Sequence, residues 1–138
     1  GDVLEHLPNP YETLRQLLDY LRQGGVLFVE GPLEINHSPV YYFARSFGYL
    51  KRLLKQDNYN DHPPTHLYRT GAKQQLALLE RLDTKLECKV WEVYETGWPY
   101  THGGAIKKII AKTAVALGGL SCFGSTYGNR FRGIFIKS

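Results

Sequence analysis

The chain has 138 residues, the size of one domain, and its 43% hydrophobic and 22% charged residues are those of a globular protein, which excludes a disordered or fibrous polymer. Its net charge of +4 comes from 17 basic and 13 acidic residues without a basic block, so a nucleic-acid partner is not expected. No apolar run reaches the roughly 18 residues of a membrane span, and the opening GDVLEHLPNP has no basic segment followed by an apolar one, so a cytoplasmic location without a membrane partner is expected.

Val3-Leu4 reads as the end of a strand, followed by Glu5-His6-Leu7 and a Pro8-Asn9-Pro10 turn. Asn9 is a good helix cap, Pro10 suits the first helical position, and Glu12 falls two residues later. Leu14, Leu17, Leu18 and Leu21 then lie on one helical stripe, with Gly24 expected to end the helix in a left-handed conformation. Val26 to Glu30 is a continuous apolar run of the kind buried on both faces of a parallel sheet. Residues 2–30 are therefore expected to form a βαβ unit. A loop over 31–39 leads into a helix reaching about Leu54, followed by a polar loop and a helix over 70–82. A strand over 86–95, a helix over 105–117, a glycine-rich linker over 118–128 and a strand over 131–136 complete the chain. The alternation predicts an α/β fold. Cys88 and Cys122 lack metal-ligand spacing and are expected to be buried, reduced thiols.

The segment DVLEHLPNP…LLDYLRQGGVLFVE carries the clearest signal. Asp2, two apolar residues, Glu5-His6, Leu7 and Pro8 are followed by Arg22-Gln23-Gly24-Gly25 leading into the apolar run at Val26. This order resembles the stretch of class I S-adenosylmethionine-dependent methyltransferases from the fourth strand to the fifth. His66-Leu67-Tyr68-Arg69 is similar to that family's approach to its late helix, and GNRFRGIFIK looks like its closing strand. The resemblance implies a partial Rossmann-like methyltransferase fold: parallel strands with helices on both faces and a final antiparallel strand. It covers the C-terminal portion of such a domain. The family's glycine-rich cofactor loop has no counterpart here, since no glycine cluster follows a first strand. The chain, which also begins without Met, is thus expected to be part of a longer protein and inactive as this fragment.

The resemblance further implies S-adenosyl-L-methionine as cofactor, held at Asp2, Val3 and Leu4, and a small-molecule methyl acceptor. In an open α/β sheet ligands gather at the carboxyl ends of the strands, where Glu5-His6 and the loop after Glu30 are expected to lie. Transfer to an O–H or N–H acceptor needs a base. His6 has the intrinsic pKa for it, with Glu5 to orient the ring, although a purely structural Glu-His turn uses the same residues. Substrate contacts are expected from Glu34, Asn36, His37, His66 and Arg69. Asp2-x-x-Glu5-His6 is also similar to the E-x-x-E-H metal motif of some relatives, including ubiquinone-pathway O-methyltransferases and small-RNA 2′-O-methyltransferases. The shorter Asp2 argues against a metal, and none is assigned. His62 and His66 are separated by Pro63-Pro64, which forbids a helical metal pair. The alternative function is a non-catalytic, methyltransferase-like interaction domain, self-associating through an exposed edge of the strand ending at Leu4.

Overall fold

The computed structural model describes residues 1–36, 42, 45–46, 49–50, 53, 66–82, 85–98, 100–122 and 125–138. Its elements are a 3-10 turn at Leu4–His6, helix α1 at Pro10–Tyr20, strand β1 at Val26–Pro32, helix α2 at Ala72–Glu80, strand β2 at Leu86–Tyr94 and helix α3 at Ala105–Leu117. The short strands β3 (Ser121–Cys122) and β4 (Ser125–Thr126) and the long strand β5 (Arg130–Lys137) follow. Residues 42, 45, 46, 49, 50 and 53 of the expected helix ending near Leu54 are helical, and the rest of that segment lies outside the described residues.

Helix α1 starts as its sequence predicts: the Asn9 side chain accepts from the Glu12 N–H at 3.1 Å, with Pro10 at the first position. Leu14 and Leu18 are buried, whereas Leu17 is exposed. The helix ends at Tyr20, four residues before the glycine expected to stop it. Gly24, at φ 75°, instead shapes the turn into β1. Its N–H donates to the Lys137 carbonyl at 2.7 Å, and Lys137 Nζ donates to the Leu18 carbonyl at 2.6 Å, beside the Leu21 N–H that caps the same carbonyl at 3.1 Å.

The expected parallel, doubly covered sheet is not what forms. Asp2 sits at φ 53° and residues 4–6 make a 3-10 turn, so the strand expected before α1, its exposed edge and the βαβ unit are all missing from the described structure. The main sheet has three strands in the order β1-β5-β2, and both pairings are antiparallel. Val26 faces Ile136 and Pro32 faces Arg130, while Leu86 faces Lys137 and Tyr94 faces Arg130, with a bulge between Cys88 and Val90. The chain-terminal strand takes the central position and separates the two strands that precede it.

Among the described residues, helices on both faces are likewise not seen. Residues 27, 29 and 31 of β1 turn toward the core with Phe131 and Phe135, and α1 and α2 cover that face through Leu14, Leu18 and Leu79, with Leu82 just after α2. On the other face Val26, Phe28 and Val90 are exposed. The apolar run at Val26 thus hides a one-sided alternation, the signature of a sheet solvated on one face. Trp91 stacks on Phe131 with ring centroids 5.1 Å apart. Gly133 makes room for this packing, because a Cβ there would meet the Phe135 ring at 2.7 Å and the Trp91 ring at 3.2 Å. Helix α3 buries only Ala111 and Ala114, and its apolar residues Ile106 and Ile109 are exposed. Cys88, expected to be buried, is exposed and free beside the bulge. Among the described residues no helix is long and apolar enough to cross a membrane.

Candidate active site

Three segments meet at one end of the core. The Leu4–His6 turn is closed by the His6 N–H on the Val3 carbonyl at 3.0 Å and the Leu7 N–H on the Leu4 carbonyl at 3.3 Å. Residues 66–70 lie along this turn: the N–H groups of Leu67 and Tyr68 both donate to the Glu5 carbonyl, at 2.7 and 3.2 Å, and Tyr68 Oη donates to the Pro8 carbonyl. The loop leaving β1 joins them through the Ile35 N–H on the Thr70 carbonyl at 3.4 Å, with Leu33 anchored in the core at 1% exposure.

This convergence assembles a histidine–carboxylate cluster. His66 Nδ1 is hydrogen-bonded to Glu34 Oε1, and Arg69 Nε pairs with Glu34 Oε2 at 3.0 Å. The His6 and His66 rings meet edge to face, with centroids 4.8 Å apart and planes at 74°. Glu5 is buried, while His6, Glu34 and His66 are partly exposed and reachable from solvent. With the Glu34 carboxylate accepting at Nδ1, the neutral His66 ring carries its proton there and presents Nε2 as a lone pair. Arg69 holds the carboxylate from its other oxygen. One ligand atom from each of Glu5, His6 and His66 lies within 4.8 Å of the others, so these three residues form a group able to hold a metal ion.

Five of the residues singled out from sequence, Glu5, His6, Glu34, His66 and Arg69, therefore belong to one cluster. Asp2 does not join them. Its carboxylate pairs with Arg130 at 2.7 Å. Burial alone would lower the Arg130 guanidinium, but hydrogen bonds and charge from Asp2 and Tyr94 outweigh it and raise the group above its ordinary value. Val3 is exposed, and Leu4 packs against the core. Asn36 is buried and its amide is used within the protein: Nδ2 donates to the carbonyls of Thr126 and Gly128, both at 2.8 Å, and Oδ1 accepts from the Ala72 N–H at 3.3 Å. His37 and His62 lie outside the described residues. The pairing of Glu34 with His66 was not anticipated, because the two residues are 32 positions apart and no local spacing relates them. No protein-family model matches the chain and no curated protein matches it, so the cluster is known from its own geometry.

Proposed function

We propose that the chain contributes the acceptor side of an S-adenosylmethionine-dependent methyltransferase site that acts on a small molecule. The observation that supports this most is the meeting of Glu5-His6, the centre of the motif, with a Glu34–His66–Arg69 group drawn from two distant segments. Bound S-adenosylmethionine supplies an electrophilic methyl group, and its sulfonium charge suits a rim carrying the carboxylates of Glu5 and Glu34. Of Asp2, Val3 and Leu4, the residues that would hold the cofactor, Val3 has open apolar surface, whereas Asp2 is engaged by Arg130 and Leu4 by the core. Because no glycine-rich loop follows a first strand, the cofactor affinity of these 138 residues is expected to be low.

The chain's own residues divide the work of handling an acceptor proton. Glu34 fixes the His66 ring and stabilises the imidazolium formed when Nε2 takes a proton from an acceptor O–H or N–H. Arg69 keeps Glu34 oriented, and His6 lies against His66 as a second imidazole lining the same rim. Removing such a base costs roughly 10²- to 10⁴-fold in rate. The test uses the protein carrying these residues, methyl-labelled S-adenosylmethionine and pooled small-molecule acceptors. His66→Ala is expected to lower S-adenosylhomocysteine formation about 100-fold with cofactor affinity unchanged.

A second reading is favoured by the closeness of the ligand atoms of Glu5, His6 and His66. In it these residues hold a divalent cation, and Glu34 becomes the carboxylate that orients a ligating histidine. Titration with Co²⁺ distinguishes the two: a ligand-field absorption that disappears in both His6→Ala and His66→Ala supports the cation, and its absence from the parent protein removes it.

A further inference from the structure

A cavity of about 330 Å³ opens between the Leu4–His6 turn, the start of α1 and helix α2. Its walls are mainly apolar, from Leu4, Pro32, Leu78 and Phe131. Polar side chains share the lining, among them Glu5, Asn9, Thr70, Gln74 and Gln75, the last 4% exposed. Gln75 Oε1 accepts from Thr70 Oγ1 at 3.0 Å, but among the described residues Nε2 has no partner. A buried amide N–H left unpaired is costly, and native structures rarely keep one without a use. Size, apolar walls and a few polar groups are the usual composition of a small-molecule site.

We propose that this cavity binds an uncharged planar ring compound carrying a carboxamide or lactam group. The ligand carbonyl takes the unpaired Gln75 N–H, and the ring lies on Phe131 and Leu78. The ligand N–H faces Glu5, the one carboxylate among the described lining residues. Among the described residues no Lys, Arg or His lines the cavity, so an anionic ligand would meet Glu5 without a compensating cation from them. The site stands on the cavity itself and does not depend on methyl transfer.

The test is an NMR titration of the ¹⁵N-labelled 138-residue chain with benzamide and, separately, with benzoate, which has nearly the same shape but a negative charge. Benzamide should shift the Gln75 side-chain NH₂ signals and the amides of Thr70, Leu78 and Phe131 in a saturable way, with benzoate at least about tenfold weaker. Gln75→Leu should weaken benzamide about tenfold. Leu78→Trp, which fills the cavity, should abolish the shifts while leaving a dispersed spectrum. The proposal is overturned if benzamide leaves these signals unmoved, if benzoate binds as well, or if either folded variant binds benzamide like the parent.

Discussion

Replacing Asn36 by Ala separates a structural role from a ligand-binding one at a residue whose position after β1 fits either. The change deletes two donated bonds, to Thr126 and Gly128, and one accepted from Ala72. At about 0.5–1.5 kcal/mol net for each bond, with part-buried partners left unsatisfied, the loss of stability should be about 2–4 kcal/mol. For a chain of this size, a urea dependence of about 2 kcal/mol/M places the fall in the midpoint at about 1–2 M, with the slope unchanged. Asn36→Asp keeps the acceptor for the Ala72 N–H but sets a carboxylate oxygen against two carbonyls. Its cost at neutral pH should be at least as large, with partial recovery in acid, where the protonated group again offers a donor. Urea melts of the three proteins by far-ultraviolet circular dichroism provide the measurement. A loss below about 0.5 kcal/mol in the Ala variant would refute the reasoning, since one average hydrogen bond exceeds it.

Further expectations follow from other contacts. Asn9→Ala should lower stability by about 1 kcal/mol in thermal melts, through the lost cap on the Glu12 N–H. Gly133→Ala should cost roughly 1–3 kcal/mol, because the added methyl enters the space between the Phe135 and Trp91 rings; a neutral result in the same melts would mean that the rings yield. Partial desolvation beside the bulge first, and then the charge of Glu80, push the Cys88 thiol above its ordinary value. At pH 8 Cys88 should therefore react with iodoacetamide more slowly than free cysteine, and Glu80→Gln should speed it about twofold, as read by peptide mass spectrometry.

Much of the local structure is legible in the residues themselves. Asn9 and Pro10 mark the start of α1, the alternation from Leu86 marks β2, and the apolar run from Phe131 marks β5. Pairing is not legible in the same way, because a strand's composition records how much of it is buried and not which neighbour it takes. Val26 to Glu30 therefore reads as a two-sided strand, although Val26 and Phe28 are exposed. The prolines around Leu7 signal a break but do not show that the residues before it form a 3-10 turn. Gly133 is the one residue in β5 that hints at its central place, since a missing side chain marks where two rings approach.

The site divides along the same line. Glu5 and His6 are visible because they are adjacent, and His66 and Arg69 because they precede a helix. That Glu34 pairs with both depends on the β1 exit meeting residues 66–70, a long-range contact that no spacing encodes. Asn36 shows the opposite problem. A polar residue in a loop after a strand looks the same whether it faces a ligand or closes hydrogen bonds inside the protein, and here its amide atoms are taken up internally.

The most direct test of the proposed chemistry is S-adenosylhomocysteine formation from labelled S-adenosylmethionine by the protein carrying these residues, compared with His66→Ala and Glu34→Gln. The expected result is turnover by the parent, a loss of about 100-fold in His66→Ala and a smaller loss in Glu34→Gln, with cofactor affinity unchanged in both. Undiminished turnover in His66→Ala, or no product from the parent with any acceptor, would contradict the assignment.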